Sequence, residues 1–149
     1  MNAVLRKLLK GANALAVELY RRSNGKIGGK AKGGTPVLLL TVPGRKTGTP
    51  HTVSVSYFPH ENGYLLVASG GGMKEEPQWM RNLRATSSAH IEIGREHRDV
   101  SVRIADPAER DQLWRDVVVA RAPGFASYEK KAGNRVIAIA IVTPTTPIN

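Results

Sequence analysis

The chain has 149 residues, 41% hydrophobic and 23% charged, a balance that gives one globular domain with a proper core and excludes a disordered chain. It contains no cysteine, which excludes disulfides and thiolate metal sites, and no apolar run long enough to span a bilayer. The formal net charge of +10 points to an anionic partner; aromatics are only 5%, with no basic–aromatic interleaving, so a small polyanion ranks above nucleic acid.

Residues 1–20 place Val4, Leu5, Leu8, Leu9, Ala12, Leu15, Ala16 and Leu19 at helical spacing on one stripe, with Arg6, Lys7 and Lys10 off it. This predicts an amphipathic helix docked on the domain by that stripe; the alternative is a basic helix lying on lipid. Its interleaved charges do not resemble the core of a signal peptide. Residues 24–34, rich in Gly and Lys, predict an irregular, mobile connector that brings Lys26, Lys30 and Lys32 within reach of an anion. Residues 36–42 are a continuous apolar run bounded by breakers, a buried strand; residues 49–58 alternate and pair with it. Gly44-Arg45-Lys46-Thr47-Gly48 joins the two. It combines a planar fork of donors, a compact charge, a hydroxyl and two flexible glycines, which suits a phosphate or carboxylate as well as it suits an ordinary charged turn. The P-loop spacing is absent.

Glu61-Asn62-Gly63 is a turn into a third strand at 64–69, which Gly70-Gly71-Gly72 ends, either as a flexible loop or as bare amides for a flat ligand. Residues 76–85 predict a short helix with Pro77 in its first turn, Trp79 and Leu83 on one face and Asn82 beside them. Strands follow at 89–93 and 100–105, joined by the polar segment 94–98. Asp106, Pro107 and Glu109 mark a helix start, and that helix carries Leu113, Trp114, Val117 and Val118. A second short helix at 123–131 holds Phe125 and Tyr128; residues 136–142 are a closing strand and 144–149 a tail. About six short strands with brief helices argue a small barrel, mainly β with short helices (α+β), over residues 35–149, preceded by a helix and connector at 1–34. His51, His60, His90 and His97 are scattered without metal spacing, and there is no nucleophile elbow, so protein-borne chemistry is thin and a cofactor is implied.

Residues 35–48, the strand 63–69, and Pro77-Gln78-Trp79 followed by Asn82-Leu83 together resemble the deazaflavin-dependent nitroreductase family. These are FMN-binding-like split β-barrel oxidoreductases that use coenzyme F-420, and the likeness covers residues 20–144. It implies hydride transfer from reduced deazaflavin to an enone, quinone or nitro compound. It implies that Arg45, Lys46, Thr47 and Gly48 hold the phosphate and that connector lysines meet the oligoglutamate tail. His51, Thr52, Val53, Ser54 and Val55, then Val67, Ala68, Ser69 and Gly70, would line the ring. Gln78, Trp79 and Asn82 would lie along it. Phe125 and Tyr128 would cover the substrate, with Ser69, Tyr128 or water giving the proton. The chain departs from the family pattern at His51, Ser54, Gly70, Met80, Ala122 and Phe125; the last two stand where some members carry tyrosine hydroxyls. The alternatives are FMN on the same barrel, or a non-catalytic F-420, flavin, haem or lipid carrier. The expected partner is a small-molecule electron acceptor, with a second copy of the chain and a membrane surface touched by the N-terminal helix as further candidates. No nucleic acid and no metal is expected, and the expected location is cytoplasmic, with membrane association through that helix as the alternative.

Overall fold

A computed structural model describes residues 2–31 and 33–145; Lys32 and the end of the expected tail, 146–149, lie outside the described residues. β1 (Val37–Pro43) is apolar but for Thr41, and its buried residues face two ways. Leu38, Leu40 and Val42 join the barrel interior, while Leu39 packs outward on Val17 and Tyr20. β1 pairs antiparallel with β2 (Pro50–His60), from Val37 opposite Ser56 to Pro43 opposite Pro50. Glu61, at φ 52, and Asn62 turn the chain into β3 (Gly63–Val67). β4 (Ser88–Ile93), β5 (Glu96–Ile104) and β6 (Ile139–Pro144) complete a closed barrel in the order β1-β2-β3-β6-β5-β4, antiparallel throughout. Closure pairs every strand on both sides and leaves no sheet edge. This is the split β-barrel that the resemblance implied.

Two strands begin three or more residues from where they are expected, at Glu96 and at Ile139. The polar stretch 94–98 is mostly strand: only Gly94 and Arg95 turn, and Ile93 already faces Glu96. Its outer face meets solvent, so its pairing needed no apolar residues. The last strand begins at Ile139; Ile137 and Ala138 are buried ahead of the ladder, the Ala138 carbonyl accepting from the Ala68 amide at 3.0 Å.

Asp106 caps its helix as expected, its carboxylate accepting from the Glu109 amide at 2.9 Å. α3 (Pro107–Leu113) runs through a π-helical turn at Trp114–Val118 into α4 (Val119–Arg121), and α5 (Phe125–Lys131) follows. These helices cover the outside of the barrel. Leu113, Trp114, Val118 and Phe125 form a second core there with Phe58, Leu65, Val67 and Ile139. Arg110 is buried in it, its guanidinium 4.7 Å from the Trp114 ring and donating to the Ile137 carbonyl at 2.8 Å.

α1 (Ala3–Arg22) does not dock by the stripe its periodicity marks: Val4, Leu8 and Leu15 are 69%, 65% and 60% exposed. It docks by Val17 and Tyr20 and by polar bonds that fix its roll. The Tyr20 hydroxyl lies 3.0 Å from the Val37 carbonyl and accepts from the Gly94 amide at 3.0 Å. Arg21 donates to both oxygens of the buried Glu92 carboxylate, at 3.0 and 2.8 Å. The connector is also more ordered than its composition suggests, with Gly25 donating to the Tyr20 carbonyl, Ala31 to Thr35, and Val37 to Gly29.

Candidate functional site

The turn Gly44-Arg45-Lys46-Thr47-Gly48 rises between β1 and β2. The Gly44 amide donates to the Thr49 carbonyl and the Gly48 amide to the Gly44 carbonyl, both at 2.8 Å. Gly48 sits at φ +77, a left-handed conformation that a side chain would strain. A Cβ on Gly44 would lie 3.0 Å from the His51 ring, so glycine lets that imidazole fold against the turn.

α2 (Gln78–Arg84) braces the turn. The Oδ1 of Asn82, a residue only 6% exposed, accepts from the Arg45 amide at 3.1 Å and from the Arg45 guanidinium at 2.8 Å. Both partners are N–H donors, so the amide orientation of Asn82 is fixed by chemistry. Its NH2 group makes no hydrogen bond among the described residues, and Asn82 lines the cavity described next. One buried residue thus aims the arginine.

This corner of the barrel rim encloses a cavity of about 900 Å³. Gly44, Arg45, Lys46 and Thr47 form one end, with Val42, Pro50, His51, Thr52 and Val53 along the β1–β2 wall. Gln78, Trp79 and Asn82 form the α2 wall, and Leu9, Lys10 and Asn13 of α1 a third. The Asn13 side chain donates to the Thr52 carbonyl at 2.9 Å, and the Thr52 hydroxyl pairs with Thr41 at 2.7 Å. Among the described residues three cations line the cavity and no carboxylate does, and Lys10, Arg45 and Lys46 enter no ion pair. The apolar walls give a flat ring somewhere to lie, and the unopposed cations give an acidic group something to hold it. A phosphorylated deazaflavin fits that donor set.

Of the site residues expected from sequence, Arg45, Lys46, Thr47, His51, Thr52, Val53, Gln78, Trp79 and Asn82 meet around this cavity. Gly48 shapes the turn without lining it. Val55 and Ala68 are buried inside the barrel, and Val67 and Phe125 in the outer core, so their side chains hold up the walls and do not face the cavity. Ser54 is exposed away from it. Ser69, Gly70 and Tyr128 are also not among the residues that line this cavity. Ser69 opens a tight turn through Gly70–Gly72 that packs on α5, with a Cβ on Gly72 falling 2.7 Å from Lys131. The guanidinium of Arg135 holds this turn, donating to the carbonyls of Ala68, Ser69 and Met73 at 2.9, 3.0 and 2.8 Å. Burial keeps the Arg135 pKa below its ordinary value. Tyr128 stacks edge to face on Phe125 at 5.1 Å.

Sequence reasoning missed Leu9, Lys10 and Asn13. The one local signal was Asn13, a poor mid-helix residue in an otherwise apolar stretch. The connector lysines Lys26 and Lys30, expected near the acidic tail, are not among the lining residues.

Comparison with known proteins gives a consistent picture. Residues 13–144 match the family described as F420H(2)-dependent quinone reductase. An F420H(2)-dependent quinone reductase of Mycobacterium tuberculosis strain H37Rv is 34% identical over 127 residues, covering 84% of this chain and 85% of that protein. A solved F420-H2 dependent reductase superposes with a TM-score of 0.63 at 30% identity, over 72% of this chain and 93% of the other. A domain-swapped dimer superposes with the same score at 27% identity, over 85% and 98%. A haem storage protein from Vibrio cholerae, at 13% identity and a TM-score of 0.54, shares the fold over 88% of this chain and 89% of its own. The chain belongs to the F420H(2)-dependent quinone reductase family.

Proposed function

We propose that the protein is an F-420-dependent oxidoreductase that reduces quinone-type acceptors, and that the cavity behind the Gly44–Gly48 turn holds its cofactor. The observation that carries this reading is that Lys10, Arg45 and Lys46 line one cavity with apolar walls and, among the described residues, no carboxylate does. When bound, reduced F-420 supplies a hydride at its deazaflavin ring. Arg45, aimed by Asn82, and Lys46 grip the phosphate, and the NH2 of Asn82 adds a neutral donor. Val42, Val53 and Trp79 take the flat ring system. A quinone that accepts the hydride needs one proton to leave as hydroquinone. We assign that proton to water entering the open cavity, because Ser69 and Tyr128 are not among its lining residues.

Titration of the oxidised cofactor, followed by its fluorescence, tests the site. Lys46→Ala is expected to weaken binding by about 1.5 kcal/mol, the low end for a charge-assisted hydrogen bond because Lys46 is exposed. Unchanged affinity would remove Lys46 from the phosphate site. Oxidation of the reduced cofactor by a soluble quinone separates an enzyme from a carrier, which would bind without turnover.

The exposed apolar stripe of α1 supports a second element of this reading. No described helix is long and apolar enough to cross a membrane. A helix with Leu5, Leu8 and Leu15 exposed and Arg6 and Lys7 on its flank suits the surface of an anionic bilayer. That surface is the contact we propose for it.

A further inference from the structure

Three consecutive left-handed glycines, Gly70, Gly71 and Gly72 at φ +54, +68 and +88, follow β3. Glycine reaches such angles freely and leaves them as freely, so the run keeps one shape only where something outside it imposes one. Arg135 does so. Its guanidinium donates to the Ala68 carbonyl at 2.9 Å, to the Ser69 carbonyl at 3.0 Å and twice to the Met73 carbonyl, at 2.8 and 3.1 Å, so it grips the chain on both sides of the glycines. Among the described residues Arg135 enters no ion pair; its donors go to main chain.

The 68–73 turn seats the start of α2. Pro77 is buried, and a Cβ on Gly70 would lie 3.2 Å from the proline ring and 3.1 Å from the Met73 sulfur, so turn and proline are in close contact. Among the described residues no side chain caps the N-terminus of α2; the amides of Met80 and Arg81 donate to the Pro77 carbonyl at 3.1 and 3.3 Å. Met80 and Leu83 bury themselves in the barrel core and set the depth of the helix. Its first turn carries Gln78 and Trp79 into the cavity wall, and the placement of that turn depends on where Pro77 sits.

We infer that Arg135 is a positioning residue for the cavity: by fixing the 68–73 turn it fixes Pro77, and through Pro77 the angle at which Trp79 meets the cofactor. Arg135 is not among the lining residues, so it acts without touching the ligand. The inference goes beyond the F-420 reading above and rests on it for the ligand.

The test uses the full chain and two readouts. Arg135→Lys keeps the charge, but an ammonium cannot replace a planar fork bonded to three carbonyls. Without cofactor, amide hydrogen exchange in this variant should be about ten-fold faster than wild type at Met80 and Arg81, and unchanged at Ala122 in the outer helices. In fluorescence titration with oxidised F-420, Arg135→Lys should bind about five-fold more weakly. Combined with Trp79→Ala, which removes the side chain that Arg135 positions, it should add less than about two-fold, because the two act as one unit. Arg110→Lys is the control: Arg110 also donates to a buried carbonyl, that of Ile137, but in the outer core. It should lower the melting temperature and leave affinity within about two-fold. Equal affinity losses with and without Trp79, unchanged affinity, unchanged exchange at α2, or a loss in Arg110→Lys as large as that in Arg135→Lys each overturn the inference. Wild type that binds no F-420 overturns the cofactor reading and the inference with it, whereas unchanged α2 exchange overturns the inference alone.

Discussion

Asn82 shows how one residue can carry both fold and function. Its Oδ1 is the only protein acceptor recorded for the Arg45 amide and for the Arg45 guanidinium among the described residues. Removing it takes the protein acceptor from a backbone donor and a charged donor at once. Asn82→Ala is therefore expected to cost about 1–3 kcal/mol in stability, measured by denaturant unfolding, and to weaken F-420 binding as well. Asn82→Asp separates the two effects. It keeps an acceptor for both donors and should recover most of the stability, but its charge opposes any anion beside Arg45, so cofactor affinity should fall further than in Asn82→Ala. If Asn82→Asp bound the cofactor as wild type does, Arg45 would not be an anion contact. The sequence placed Asn82 near Trp79 on a helix face, and that placement holds. Its partnership with Arg45 was not legible, because nothing local couples a helix residue to a turn 37 positions earlier.

At the scale of elements, the hairpins were the readable part and the helix docking was not. Alternation and turn residues act between neighbours in sequence, so β1, β2 and the turn between them follow almost directly from residues 36–58. The roll of α1 depends on Tyr20 and Arg21 meeting Gly94 and Glu92, contacts 71 to 74 residues away that a periodicity cannot encode. The wrong face was expected because the apolar stripe is the stronger signal, although hydrogen bonds to buried groups decided the outcome. This latch gives the protein an acid-side dependence. Hydrogen bonding from Arg21 holds the Glu92 carboxyl below the usual range against desolvation, with the charges of Arg21, His97 and His90 helping. A carboxyl whose pKa is lower folded than unfolded contributes stability above its unfolded value, roughly pH 4.3, and loses it as the pH falls through the folded value. Glu92→Gln should remove about 1–2 kcal/mol at neutral pH, discounted because Arg21 is half exposed, and should flatten the stability profile below about pH 4. Proteolysis between α1 and β1 reports the same event locally. If the variant kept the wild-type acid profile, the pair would not be what fastens α1.

The whole molecule is a closed barrel, and among the described residues most of its exposed large apolar side chains lie along α1. Closure itself was legible from six short strands, and the +10 charge pointed correctly to an anionic partner class, but neither says which surface an exposed stripe meets. Two occupants are physically reasonable: a second copy, which would bury the leucines of α1 against each other, and lipid, which would take the leucines into the bilayer and the flanking arginine and lysine to its headgroups. The electrostatics divide them. Pairing two α1 helices side by side brings Arg6 and Lys7 of one near those of the other, a repulsion that grows as salt is removed, whereas an anionic bilayer attracts the same residues under the same conditions. Sedimentation with vesicles rich in anionic lipid should therefore pull down the full chain at low salt and release it as salt is raised. Leu5→Asn combined with Leu8→Asn should abolish sedimentation while leaving the melting temperature unchanged, since both side chains are already exposed. Binding to neutral vesicles with no salt dependence, or a dimer that dissociates in the double variant while lipid binding persists, would assign the stripe to the second copy and refute the membrane contact.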